Sequence, residues 1–551
     1  MTRGAWLGLL LAVFAAFWFT ALGSRYLIGP DEGRYAEISR EMALSGDWVT
    51  PRLNGLKYFE KPPLQYWATA AAFKLFGESE WTARLWTGLT GFLGVLLAGY
   101  TGRRLFGPDA GALAAAALGS SLLWVFLGHI NALDMSLAFF LEAALCGLLL
   151  AQRNGVGHRE AQGWMWFTWA ALAFAVLSKG IVALVLCGGT LVAYTLASRD
   201  WDLWKRLELT RGLLIFFALA SPWFIAATLA NPEFPRFFFI HEHFERFLTT
   251  THRRSQPAWY FGPILALGLL PWTTLALQAL AGCWRDSNRR GSFRPGLMLG
   301  LWSLVTFGFF SLSGSKLPSY ILPLFPALAL LLGQRFGGQH PLPRLGWHLI
   351  LVALAGVCLI PLGLMAETFG HDNVELRALY RDYGHWFIAA GGFAAAGAGL
   401  GLYLARRKSA VAALLALAAG GFLANMALLQ GHDSLAPVNS AHAIAAQIRP
   451  LLQNDTKIYS VETYEQTLPF YLDRTVTLVA YTDEFSFGQQ LEPTKSIPTV
   501  AEWKPLWVNG PPALALMKQH QYNLLLSQGW PLEILARPPN GLVIVRNRST
   551  P

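Results

Sequence analysis

Apolar residues dominate this chain in runs of membrane length. Thirteen such stretches recur, at about 5–22, 81–102, 110–127, 133–151, 164–177, 181–196, 212–229, 258–280, 297–312, 320–332, 349–365, 386–404 and 411–429, joined by polar connections. A membrane-crossing helix needs roughly 20 mainly apolar residues, so the pattern predicts a polytopic α-helical membrane protein of about 13 spans over residues 1–430. The apolar stretch 62–76 is short and carries Trp and Tyr, which predicts a helix lying along the interface. Beyond Gln430 the apolar runs shorten to strand length and alternate with helical patterns. Residues 457–461, 476–480, 523–526 and 542–545 read as strands, with a helix at 465–472, so 431–551 is expected to form a C-terminal soluble α/β domain. It holds no Gly-rich phosphate loop and no nucleophile motif, which favours a binding or packing module over a second active site. The first run resembles a signal sequence, but Ala21-Leu22-Gly23 is a poor cleavage site and a retained helix is expected.

Composition agrees: 54% of the 551 residues are hydrophobic and 14% charged. The formal charge of +10 does not point to nucleic acid, because its basic residues interrupt apolar runs and so orient membrane helices. With a cytoplasmic N-terminus, one side receives Arg3, Arg103, Arg104, Arg153, Arg159, Arg199, Lys205, Arg206, Arg285, Arg289, Arg290, Arg294, Arg335, Arg344, Arg406, Arg407 and Lys408. The loops 23–80 and 230–257, the connection around Lys316 and the tail then lie on the opposite, extracytoplasmic face. The four cysteines lie in or beside apolar runs without metal-knuckle or disulfide-scaffold spacing.

The first long loop carries the densest chemistry. Eleven charged residues fall between Asp31 and Lys61: Asp31, Glu32, Arg34, Glu37, Arg40, Glu41, Asp47, Arg52, Lys57, Glu60 and Lys61. A charge run is ordinarily a solvated face; here Pro30 and the anchors Tyr58, Phe59, Pro62 and Pro63 would hold the charges at the membrane surface, which suits a site. Arg34, Lys61 and Arg246 lie on the face that the orientation rule leaves poor in cations, and are candidates to hold lipid phosphates. Asp134, an ionisable group at the outer end of a span, is a catalytic candidate, with Arg34 or Lys61 as its expected partner. His241, His243 and Glu60 could meet at one divalent cation such as zinc, against the plainer reading of local hydrogen bonds.

Pro-Asp-Glu-x-Arg-Tyr at 30–35, Ser-Gly-Asp-Trp at 45–48, Pro-Arg-Leu-Asn-Gly at 51–55 and Tyr-Phe-Glu-Lys-Pro-Pro at 58–63 resemble the lipid A aminoarabinose transferases. Glu242-His243 with Arg246-Phe247, and Gly314-Ser-Lys-Leu-Pro-Ser-Tyr320, extend the resemblance along the chain. It implies a type-C membrane glycosyltransferase fold that transfers 4-amino-4-deoxy-L-arabinose from undecaprenyl phosphate to lipid A phosphate, without a nucleotide or organic cofactor. It points to Asp31 as catalytic carboxylate, as base or as organiser of the acceptor. Glu32 would share that role or cap the helix that begins there. Tyr58, Lys316 and Tyr320 join the substrate-binding candidates; Lys316 could equally snorkel to the interface. The alternatives are a protein O-mannosyltransferase-like enzyme using a polyprenyl-phosphate sugar, a lipid flippase, and an envelope scaffold. A flippase would spread polar residues through the spans, often with an inverted repeat, whereas here they crowd at one face.

Overall fold

The computed structural model describes residues 3–245, 256–284, 293–338, 345–371, 373–407 and 409–547. All thirteen apolar stretches fall on helices, from Arg3–Thr20 to Ala410–Gly431. Seven helices among the described residues are long and apolar enough to cross a membrane, or eight if one bent pair is counted as a span. The others are shorter, broken, or more polar, as in Glu80–Phe106, which carries Glu80, Arg84, Arg103 and Arg104. The stretch expected to be one straight span at 258–280 is instead two helices, Ala258–Gly268 and Thr273–Gly282, bent by 114° around Pro271. Proline removes the backbone donor that would continue the helix. Residues 62–76 form the Leu64–Phe76 helix.

Helix Leu133–Gln152 runs through the interior of the bundle, with 89% of its apolar window buried. Where helices cross without long side chains between them, small residues let the backbones touch. A Cβ on Gly397 would stand 2.6 Å from the Cα of Gly420 on the neighbouring helix.

The tail after Gly431 is built on a six-stranded sheet. Its strands are β3 (Lys457–Val461), β4 (Thr477–Val479), β5 (Ser496–Ile497), β6 (Ala513–Lys518), β7 (Glu533–Ala536) and β8 (Leu542–Arg546), in the order β5-β4-β3-β6-β8-β7. β5, β4, β3 and β6 are parallel; β8 runs antiparallel to β6 and to β7. β1 (Arg52–Leu53) and β2 (Leu56–Lys57) form a separate hairpin in the first long loop. The sequence reading of 523–526 as a strand is corrected: these residues lie in the Gln519–Ser527 helix. Leu525 is buried while Leu524 and Leu526 are about half exposed, the mark of one helical face rather than a buried strand.

Alternation along the strands explains how the tail is seated. Side chains of successive strand residues point to opposite faces. Val461, Ala515, Met517, Val543 and Val545 pack under Trp503, Trp507 and Tyr522 of the tail's own helices. Ile458, Leu514, Leu516 and Ile544 face the other way, into one apolar cluster with Tyr35, Ile38, Leu53, Tyr58 and Tyr66 of the first long loop. The loop and the tail's own helices His442–Ile448 and Leu468–Leu472 therefore share the apolar cluster on this face of the sheet. Polar contacts register the two. Asn54 and Val476 exchange hydrogen bonds of 2.7 and 2.8 Å, Arg52 pairs with Glu492 at 3.0 Å, and the Leu27 amide donates to the Tyr471 hydroxyl at 2.7 Å. At the tightest point, a Cβ on Gly33 would come within 2.5 Å of the Gln466 carbonyl.

Two consequences are measurable. Gly33→Ala pushes backbone against backbone and should cost about 1–3 kcal/mol, read as a lower melting midpoint of the detergent-solubilised chain; an unchanged midpoint would show that the seam is not closed there. Glu41, whose Oε2 accepts the Gly55 amide at 2.9 Å, is pushed up to about 8, first by burial and next by the Glu37 carboxylate. A carboxyl raised on folding keeps its proton in the native state while the unfolded chain has lost it. Its stabilising contribution is complete below the ordinary carboxylate range and disappears as pH climbs through about 8. The melting midpoint should fall from pH 5 to pH 8.5, and Glu41→Gln should flatten that slope; an equal slope in both proteins would contradict it.

Candidate active site

Asp31 and Glu32 open the Asp31–Ser45 helix, and consecutive helical residues diverge by about 100°. One turns outward from the packed interior and the other inward. Glu32 is 1% exposed and forms a double hydrogen bond with Arg84, at 2.6 Å from Nε and 2.8 Å from Nη2. It also accepts from the amides of Ile28 at 3.1 Å and Asn131 at 2.8 Å. Burial alone would raise its proton affinity, but the Arg84 guanidinium outweighs burial and holds the carboxyl below its usual range. Glu32, which the sequence left between sharing the catalytic role and capping the helix, has its oxygens spent on Arg84 and two backbone amides.

Asp31 keeps 43% of its side chain exposed and accepts a hydrogen bond from Nη1 of Arg34 at 3.2 Å. On its other side Arg34 meets Glu484 of the tail, Nη2 to Oε1 3.6 Å. Three tyrosines close the floor. Tyr35 and Tyr66 stand 6.0 Å apart, and Tyr58 is buried close enough to Arg34, Glu60 and Tyr66 to feel their charges. Burial raises the Tyr35 hydroxyl well above its ordinary value, with Asp31 adding to the effect and Asp134 contributing less. Asp134 does not reach Arg34 or Lys61 as its ion-pair partner. It forms a short ion pair with Lys179, the last residue of the His158–Lys179 helix. The Lys179 ammonium lies over the Tyr320 ring at 4.4 Å, and Asp31 also acts on it electrostatically.

The remaining candidates divide. The Lys61 ammonium donates to the Glu60 carbonyl at 2.8 Å. Lys316 is 6% exposed and donates to the carbonyls of Ser313 at 2.6 Å and Gln256 at 2.9 Å. It fastens the turn before Tyr320, and two of its three donors are used in doing so. The second long loop enters as the Arg236–Glu245 π-helix, tied to the first by Lys57 to Glu233 at 2.7 Å and by Asn231 to Thr50 at 2.9 Å. The side chains of His241 and His243, and Arg246 entirely, lie outside the described residues. Among the described residues no group of three His, Cys, Asp or Glu side chains could hold a metal ion.

Asp31, Arg34, Tyr35, Tyr58, Asp134, Lys179 and Tyr320 therefore share one polar basin where the first long loop meets the helix ends. Such a basin offers an exposed carboxylate to orient or deprotonate an acceptor and fixed cations for a charge that develops on a leaving group. Sequence reading missed Lys179 and Glu484. The rule that picked out Asp134 applies to Lys179, a cation closing an apolar helix; nothing local marks Glu484, which reaches the basin through the tail fold.

Residues 444–546 match the family described as aminoarabinose transferase C-terminal domain, and residues 6–238 that described as dolichyl-phosphate-mannose-protein mannosyltransferase. The chain is 35% identical over 401 residues to the undecaprenyl phosphate-alpha-4-amino-4-deoxy-L-arabinose arabinosyl transferase of Pseudomonas aeruginosa, covering 71% of each chain. The crystal structure of ArnT from Cupriavidus metallidurans bound to undecaprenyl phosphate superposes with a TM-score of 0.93 at 38% identity, over 100% of this chain and 99% of that one. An archaeal oligosaccharyltransferase, AglB from Archaeoglobus fulgidus, shares the fold at 14% identity, with a TM-score of 0.51 over 100% of this chain and 75% of that one.

Lys179→Met leaves the Asp134 carboxylate without its cation and should cost about 3–5 kcal/mol. The double change Lys179→Met with Asp134→Asn should recover most of it, because the stranded charge is gone. Melting midpoints of the three proteins test this; a double variant no more stable than Lys179→Met would mean the pair is not coupled.

Proposed function

We infer, because the chain belongs to the undecaprenyl phosphate-α-4-amino-4-deoxy-L-arabinose arabinosyl transferases, that it moves this amino sugar from its polyprenyl phosphate carrier to a phosphate of lipid A. The reaction takes place at the periplasmic face of the inner membrane. The observation that carries the reading is the half-exposed Asp31 carboxylate held by Arg34 at 3.2 Å, next to the Asp134–Lys179 pair.

An acceptor phosphate oxygen attacks the anomeric carbon, the bond from that carbon to the carrier phosphate breaks, and the electron pair leaves on the phosphate oxygen. Lys61, Arg246 and Arg34 hold phosphate oxygens, and Lys179 adds positive charge to the basin; this charge stabilises the leaving group more than the neutral-bridged donor. A phosphate monoester is largely ionised at neutral pH, so Asp31 mainly orients the acceptor and takes up any proton still present. Tyr58 and Tyr320 supply sugar-facing surface. Glu60, His241 and His243 form the candidate zinc set, whose test is transfer by the purified chain before and after chelation and readdition of zinc. Adding a cationic sugar to lipid A lowers its negative charge and weakens its attraction for polycationic peptides, which gives resistance to polymyxin.

The second reading, transfer of a polyprenyl-linked sugar to protein, draws on the mannosyltransferase match over residues 6–238; the match over 444–546 favours an aminoarabinose transferase. Mass spectrometry of lipid A decides between them. In cells lacking their own transferase, this chain should add aminoarabinose and raise polymyxin tolerance, and Asp31→Asn at equal expression should lower the modified fraction by on the order of a hundredfold. Unmodified lipid A with the parent chain would remove the lipid A assignment.

A further inference from the structure

We propose that the tail is part of the catalytic basin, with Glu484 as the positioning residue that aims the Arg34 guanidinium at the substrate phosphate. The proposal rests on the transferase reading above.

Arg34 is held from two directions by two carboxylates of different origin. Asp31, one helical turn away on its own helix, takes Nη1 at 3.2 Å. Glu484, in the short 3-10 turn Asp483–Phe485 of the tail, stands 3.6 Å from Nη2. Their environments differ: Asp31 is 43% exposed and Glu484 9%. An exposed ion pair is weakly oriented, whereas a carboxylate withdrawn from water and fixed by further bonds holds its partner to one geometry. Glu484 has such support, because the Gln466 side-chain amide donates to the same oxygen, Oε1, that faces Arg34. Gln466 is itself buried, with its carbonyl against Gly33, the residue preceding Arg34. Tail and helix are thus locked at backbone level next to the side-chain contact.

The guanidinium held in this way keeps donors in reserve. Nε of Arg34 is buried and has no hydrogen-bond partner, an arrangement that is costly unless something accepts from it. A phosphate oxygen is the acceptor that fits a guanidinium of fixed orientation. Phe487, three residues beyond Glu484, stacks on Phe237 of the second long loop at 4.0 Å. The same tail segment therefore touches both loops that frame the basin. Burial raises the proton affinity of Glu484, and Arg34 opposes that rise, so the guanidinium favours the charged form of the carboxyl that holds it.

The test uses the full-length chain in detergent, with Glu484→Gln, Glu484→Asp, Arg34→Gln and the double variant Arg34→Gln/Glu484→Gln. Transfer from the undecaprenyl-linked donor to lipid A gives kcat and KM, and the rate at which phenylglyoxal modifies Arg34, followed by peptide mass spectrometry, gives its freedom. Glu484→Gln should lower kcat roughly tenfold and speed modification of Arg34, Glu484→Asp should recover part of both, and in the Arg34→Gln background the Glu484 change should cost nothing further. An undiminished Glu484 effect without Arg34, or parental kcat and parental modification in Glu484→Gln, overturns the proposal. If the parent transfers nothing to lipid A while Arg34 is still released by Glu484→Gln, the positioning stands and the transferase reading falls.

Discussion

The Glu32–Arg84 pair is the constraint on which the rest of the site depends. Neither side chain is accessible to water, at 1% and 0% exposed, and a buried ion pair holds only where every lone pair and proton finds a partner. Here they do. Beyond Glu32, the guanidinium donates to the carbonyls of Leu22, Arg25 and Tyr26, and the carboxylate collects the amides of Ile28 and Asn131. One ion pair thus ties together the end of the first helix, the chain that leaves it, the helix Glu80–Phe106 and the residues leading into Leu133–Gln152. Asp31 and Asp134 enter the basin from two of these segments, so their separation is set by a knot that contains neither.

The same constraint explains why two adjacent acids have different fates. Fixing Glu32 inward fixes the rotation of the Asp31–Ser45 helix about its axis. Asp31 is then turned toward the exposed side, and Arg34, one turn later, beside it. Tyr35 comes round to the buried side with Tyr66. On the inner flank Glu37 and Arg40, both buried, pair at 2.7 Å and so neutralise each other. The helix is amphipathic in an unusual sense: its buried face is charged but internally neutralised, and its open face carries the candidate chemistry.

How much of this could be read from the sequence follows from the range of the forces involved. Hydrophobic runs are local, and all thirteen stretches became helices. The bend at Pro271 is also local in cause, but apolar composition hides it. The first loop announced itself by charge density, yet charge density does not tell Asp31 from Glu32; that depends on Arg84, 52 positions away from Glu32. Asp134 was legible as an ionisable group near lipid, and its partner Lys179 was not, because partner choice depends on which helix ends meet. In the tail, β6 was missed although it is central. Ala513–Lys518 is a short apolar run without polar alternation, as expected for a strand buried on both faces, and such runs are ambiguous between strand and helix.

The covered sheet face bears on how the domain boundary should be understood. A tail that folded as an independent module would present a solvated face toward the membrane region, and antiparallel or mixed sheets commonly do so. This one places Ile458, Leu514, Leu516 and Ile544 in one apolar cluster with its own helices and the first loop, so detaching it would expose apolar surface on both partners. The regular structure of the loop is two helices, Asp31–Ser45 and Leu64–Phe76, and a two-residue-per-strand hairpin, and that hairpin is too small to persist alone in water. Each half lends the other its hydrophobic face. The loop that holds Asp31 and Arg34 packs against the tail, and the composition change at residue 431 marks the end of the membrane helices without marking the end of the packing around the candidate site.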